Sequence, residues 1–239
     1  MKYFRALIGV LAIATTALSA SAEPLVTYNF TTDFSPSGVS PLITASSVTL
    51  SGDFARSGGA QNLFLRGIHT PDSLAAAISN SPAVGSAAPD YVQFTLTPTG
   101  SNMVSFETIV FDHAGSNALA TSFSSSFSVF ASLNGFSSNP AAGDAFGTST
   151  VTITPTPSGS SQTFATGVTF SFGSAFQNLT SASTVTFRIY GFDNSDSNDQ
   201  IPRVDNIQVT GSAVPEPSTY VLLGVAMLGL VAFRRRRVA

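Results

Sequence analysis

The chain has 239 residues, of which 43% are hydrophobic, only 10% are charged and none is cysteine. At roughly 100–200 residues per domain, that length admits one full domain with extensions. The missing thiols exclude a disulfide framework, a cysteine nucleophile and Cys-ligated zinc or iron–sulfur clusters, and a formal charge of −3 excludes the strongly basic surface of a nucleic-acid binder.

At the N-terminus, Lys2 and Arg5 flank the start of an apolar stretch from Ala6 to Leu18, followed by Ser19, Ala20, Ser21 and Ala22. A positive start, an apolar run of roughly 7–15 residues and small side chains for the peptidase pocket define a secretory signal peptide. Residues 1–22 are therefore expected to be a leader removed by signal peptidase after Ala22. The run falls short of the roughly 20 residues that a permanent anchor needs. Residues 23–213 then carry twelve carboxylates against Arg56, Arg66, Arg188 and Arg203, with no lysine, a formal charge of −8. An acidic surface repels nucleic acid and anionic lipid headgroups, so neither is an expected partner, whereas divalent cations are admitted.

The period of this region is two. Val92, Phe94 and Leu96 alternate with Tyr91, Gln93, Thr95 and Thr97; Phe127, Val129, Ala131 and Leu133 repeat the pattern, as do Val185, Phe187 and Ile189. Each run predicts a strand with one buried face. Further β-rich runs lie at 25–32, 43–50, 61–66, 103–112, 148–154, 162–172 and 203–210. Only Pro71 to Ile78 reads helical, with Thr70 as N-cap, Pro71 at the first helical position and Pro82 beyond the stop. About ten short strands without intervening helices predict a single antiparallel β-sandwich or jelly-roll domain over residues 23–213. Eighteen phenylalanines in that domain supply enough apolar area to hold it without disulfides.

Catalytic chemistry is sparse. His69, His113, Glu107 and the aspartates are the only acid–base candidates, and Glu107 is the only glutamate between Glu23 and Glu216. Asp112 and His113 are adjacent, and neighbours on a strand point to opposite faces, so they do not form a dyad by adjacency. Neither a Gly-x-Ser-x-Gly elbow nor a His-Glu-x-x-His zinc helix is present. A non-enzymatic protein is expected, with both histidines at loop or strand-end positions. Thr148, Thr150, Thr152 and Thr154 place hydroxyls on one strand face, which one strand alone cannot turn into an ordered plane. Sugar stacking has only Tyr28, Tyr91 and Tyr190 beside phenylalanine, because tryptophan is absent.

Asp193, Asn194, Ser195, Asp196, Ser197, Asn198 and Asp199 form the densest group of oxygen ligands, with Asp205 six residues on. Calcium takes six to eight such oxygens. The spacing does not match an EF-hand: its first position would be Asn194, and Asp199 stands where glycine is required. The aspartates Asp193, Asp196, Asp199 and Asp205 therefore read either as a calcium site in a sandwich loop or as a solvated turn before the last strand.

The C-terminus has three parts: Pro215-Glu216-Pro217, an apolar segment from Tyr220 to Phe233, and Arg234, Arg235, Arg236 and Arg237. The prolines hold the first part extended and deny it helix. The fourteen-residue apolar segment is a short transmembrane helix that flanking Ser, Thr and snorkelling Arg must help to span. The arginine cluster keeps the C-terminus cytoplasmic, so residues 23–213 lie outside the inner membrane. This tail, over residues 214–239, resembles the PEP-CTERM sorting signal of Gram-negative bacteria, also called the ice-binding protein C-terminal domain. The resemblance runs from Val214 to Arg237. It implies that Pro215, Glu216 and Pro217 are read by exosortase, a membrane-embedded cysteine transpeptidase. The protein would then pass from an inner-membrane intermediate to the cell surface, or to the extracellular polysaccharide of a biofilm.

Four phrases in the domain are similar to the jelly-roll proteins that carry such tails: Asp90 to Leu96, Ser132 to Phe136, Val185 to Gly191 and Arg203 to Gly211. That likeness implies an extracellular structural or binding role. The alternative within the same fold is a carbohydrate-binding module or adhesin, calcium-dependent if the aspartate loop holds an ion.

Overall fold

Alternation along Tyr91–Pro98 is realised in full, with every even-numbered side chain buried and every odd one half-exposed. The computed structural model describes residues 21–52, 54–56, 63–65, 73–78, 89–117, 122–133, 135–153, 161–193 and 200–214, together with Gly224, Met227 and Leu228. In chain order the strands are β1 (Glu23–Tyr28), β2 (Gly38–Val39), β3 (Ile43–Ala45), β4 (Thr49–Leu50), β5 (Phe54–Arg56), β6 (Leu63–Leu65) and β7 (Tyr91–Pro98). They continue with β8 (Met103–Asn117), β9 (Phe123–Ser132), β10 (Gly147–Ile153), β11 (Ser161–Ser171), β12 (Val185–Asp193) and β13 (Gln200–Val214). One short helix, α1 (Leu74–Ile78), lies between β6 and β7. The predicted helix start at Thr70 and Pro71 falls outside the described residues.

Two antiparallel sheets result. The first runs β11-β8-β13-β1-β2, with the β5–β6 hairpin also pairing to β13; the second runs β10-β9-β12-β7-β3, with β4 also on β7. Leu25, Phe106, Ile109, Phe111, Val204 and Ile207 of the first sheet meet Phe94, Phe127, Val129, Phe187 and Ile189 of the second in one core. The predicted antiparallel β-sandwich is the fold.

Two expectations need correction. The run at 185–189 has two buried faces, because α1 sets Ala77 and Ile78 on the outer side against Tyr190 and Phe130. The runs at 103–112 and 203–210 are parts of two fifteen-residue strands, longer than alternation suggests because both cross bulges. At Asp112 the neighbour β11 spends Thr166 and Gly167 on one residue of β8, while β13 spends Asn206 and Ile207 opposite Phe111. Gly167 and Asn206 both have positive φ, 63° and 50°, a region glycine enters freely and asparagine tolerates. Asp112 holds both bulges: the Gly167 amide donates to its Oδ1 and the Asn206 side-chain amide to its Oδ2, each at 2.8 Å.

A further register shift separates Thr210 from Gly211 and leaves Glu107 as the extra residue on β8. There the backbones crowd, and a Cβ on Gly211 would meet the Ser105 carbonyl and stand 2.6 Å from Leu25 Cδ1. Gly211→Ala is expected to cost about 1–3 kcal/mol, the usual penalty of overpacking, read as a lower urea midpoint. Gly38→Ala, with nothing within 4 Å of the added carbon, should leave the midpoint unchanged; equal midpoints for the two variants would refute the crowding argument.

Candidate functional site

β13, placed between β8 and β1, ends at Val214 opposite Met103. The sorting residues Pro215, Glu216 and Pro217 follow at once and lie outside the described residues, as do Arg234 to Arg237. Gly224, Met227 and Leu228 are helical, and the last two are exposed. Among the described residues no helix is long and apolar enough to cross a membrane. β1 begins at Glu23 and pairs it with Gly211, so the sandwich releases both of its ends at one pole. The connections 99–102, 133–146 and 172–184 lie at the same pole, since Val185 pairs Leu96 and Ser132 pairs Thr186.

The two acidic candidates within the described residues, Asp193 and Asp205, stand apart. Asp193, 1% exposed, ends β12 on the inward parity of Phe187 and Ile189, whereas Asp205 on β13 follows the inward Val204 and so faces out. These two carboxylates stand on different sheets and opposite faces; Asp196 and Asp199 lie outside the described residues. Asp205 instead sits across from Asp112. Partial burial, and then Asp112, push its pKa up to about 6 against a hydrogen bond from the Asn206 amide. Glu107 accepts from the Ser212 hydroxyl at 2.7 Å. His69 is outside the described residues.

His113 departs from its expected strand-end position. It lies in mid-β8, 1% exposed between the sheets, with Nε2 2.8 Å from Ser149 Oγ on β10 and its ring against Phe111 and Phe127. Its Nδ1 is buried without a hydrogen-bond partner among the described residues. Asp112 points the other way, as alternation predicts. Burial pushes the His113 pKa down to about 4, against a weaker pull from Asp112.

The outer face of the second sheet gathers what sequence reasoning missed. Of the three tyrosines available for stacking, Tyr28 and Tyr190 are fully buried. Tyr91 is covered by Arg188, whose guanidinium carbon is 4.2 Å from the Tyr91 ring centre and 4.4 Å from that of Phe136. The Arg188 Nε donates to Gln93 Oε1 at 2.7 Å and Nη1 to the Tyr190 hydroxyl at 3.3 Å. Phe136 also lines an open cleft of about 350 Å³ with Phe130, Ser132, Ser138, Pro140 and Asp144. The available signal was an arginine at an outward strand position, level with outward Gln93, in a domain with only four cations. The loop that brings Phe136 over it was not foreseeable.

The fold defines an antiparallel β-sandwich protein. A family model for the PEP-CTERM protein-sorting motif matches residues 213–237, so the chain carries this sorting motif at its C-terminus. None of the curated proteins compared with it matches. Among solved structures, a carbohydrate-binding module that recognises mannan is similar over 81% of this chain and 99% of its own, at 11% identity and a TM-score of 0.37. A module from Caldicellulosiruptor saccharolyticus, in complex with mannohexaose, matches 80% of this chain and 97% of its own, at 14% identity and 0.33. A xylan-binding domain from Paenibacillus barcinonensis matches 83% and 99%, at 10% identity and 0.28. At these scores the likenesses assign no ligand.

The buried histidine makes stability depend on pH. Its folded pKa of about 4 lies below the ordinary 6.5, so the unfolded chain binds the proton first. The penalty is absent above pH 6.5 and grows as pH falls toward 4, reaching roughly 2–3 kcal/mol. Asp205 acts in the opposite sense: with its pKa raised from 3.8 to about 6, acidification through that window adds stability. In urea titrations the difference between the wild type and His113→Gln isolates the first effect. Between about pH 7.5 and 4.5 it should move in the variant's favour by more than about 1 kcal/mol; a pH-independent difference would show that His113 does not resist protonation.

Proposed function

We propose that this is an exported, non-enzymatic protein of the cell surface or extracellular matrix, delivered through its tail by exosortase. In this reading residues 1–22 direct export, residues 23–213 are the delivered domain, and residues 214–239 hold it in the inner membrane until Pro215, Glu216 and Pro217 are processed. The observation that carries it is the match of the sorting motif to residues 213–237, directly on the end of a central strand. The shared exit pole of Glu23 and Val214 supports it: an anchored sandwich then stands on one end with its strands leading away from the bilayer. The structural roles of Asp112 and Glu107 support a non-catalytic domain, since both carboxylates are engaged in holding strands.

Replacing Glu216 with Ala should leave export and insertion intact but stop processing, because neither the leader nor the apolar segment is touched. Precursor should accumulate in the inner membrane of a strain that has exosortase. Neutral replacements of Arg234 to Arg237 should instead lose orientation or slip through, since each charge costs several kcal/mol to move through hydrocarbon. Fractionation and the mass of the C-terminus separate the two defects. A Glu216→Ala protein that reaches the surface like its parent would reduce the tail to a plain anchor.

A second reading, binding of polysaccharide by the domain itself, is favoured by the open cleft beside Phe136. Aromatic side chains in such a cleft present apolar area for a sugar ring while hydroxyls and Asp144 accept and donate at its edge.

A further inference from the structure

Resting on the polysaccharide-binding reading and making it specific, we propose that Arg188 is a carboxylate receptor, and that the outer face of the second sheet takes an uronate-bearing polysaccharide lying along the Phe136 cleft. The guanidinium is held in place before any ligand arrives. Its central carbon lies over the rings of both Tyr91 and Phe136, a geometry that stabilises a partly desolvated cation. Gln93 and Tyr190 take one donor each from Nε and Nη1. Every group that holds it is neutral: two rings, an amide and a phenol. Among the described residues no carboxylate pairs with it, although the domain is acidic by eight charges.

A guanidinium presents five N–H donors in a rigid fork matched to a carboxylate. Two are used inward, which leaves the Nη2 amino group for an incoming anion. A structural clamp alone would be served by any long side chain that packs against the rings. A planar cation held in place, with spare donors and no counter-ion among the described residues, is in addition set up for a charge-assisted hydrogen bond. Phe136 is the common wall: its ring lies against Arg188, and it lines the cleft together with Asp144. A polymer following the cleft would set neutral sugar hydroxyls near Asp144 and pass the guanidinium as it crosses Phe136. The surrounding negative charge opposes a dense polyanion, so the fit is to isolated carboxylates on an otherwise neutral chain.

The test uses the full chain in detergent micelles with chelator present, and two forms of one galacturonan: most carboxyls methyl-esterified, and all of them. The two polymers differ only in isolated carboxylates. Calorimetry or affinity electrophoresis should give at least about tenfold tighter binding of the partly charged form, the scale of one charge-assisted hydrogen bond. Arg188→Lys, which keeps the charge but loses the fork, and Arg188→Gln should erase that preference while retaining whatever binding the neutral form shows. Equal affinity of the wild-type chain for both polymers would overturn the carboxylate receptor and leave polysaccharide binding standing. No binding of either polymer would overturn both. Because the polymer comparison is made on the wild-type chain, a variant that failed to fold would not rescue the proposal.

Discussion

The pairing of β8 with β13 carries the rest of the structure. The two strands pair from Val214 opposite Met103 to Gln200 opposite Asn117, with two register shifts on the way, and each is flanked by a second partner, β11 on one side and β1 on the other. A ladder of that length cannot keep one twist and one face without adjustment, and the bulges are where it adjusts. Asp112 is the fixed point. With one oxygen on each neighbouring strand it uses a single carboxylate to register three strands, and its place on the outer face leaves His113 to turn inward.

That arrangement changes the parity of β8. Val104 and Phe106 point into the core before Glu107; Ile109, Phe111 and His113 point in after it. A histidine reaches the interior by this shift, where Ser149 and Phe127 of the opposite sheet meet it. The same shift keeps Glu107 and Asp112 out of the core and close to hydrogen-bond donors. The polar groups that a reader would first suspect of catalysis are thereby engaged as structural parts of the ladder, which agrees with a domain delivered for structure or binding.

The second sheet has a different division of labour. Its inner side is apolar around Phe94, Phe127, Val129, Phe187 and Ile189, while its outer side packs α1 against Phe130 and Tyr190, with Tyr91 and Phe136 against the same cluster. Both sides of β12 are buried, and Arg188 and Tyr91, held on strands, keep their geometry better than side chains on a loop. The two ends of the domain, Glu23 and Val214, leave from the pole that also bears the 133–146 connection.

The sequence by itself determined the class of the fold, the places of β7, β9 and β12, and the sorting motif at the C-terminus, because these depend on local signals: period-two alternation, and a proline-flanked motif followed by an apolar run and an arginine cluster. The tertiary structure alone decided which faces of those strands are covered and which charged groups meet. Alternation assigns one buried face per strand and says nothing of a five-residue helix, more than a hundred positions before Tyr190, that returns to bury the other. A bulge moves every following side chain to the opposite face, so the interior place of His113 could not be counted off along the chain, and the placing of Asp193 and Asp205 on different sheets is a matter of topology. The stacking of Arg188 against Tyr91 and Phe136 joins residues from three segments whose nearness exists only once the sheet has formed.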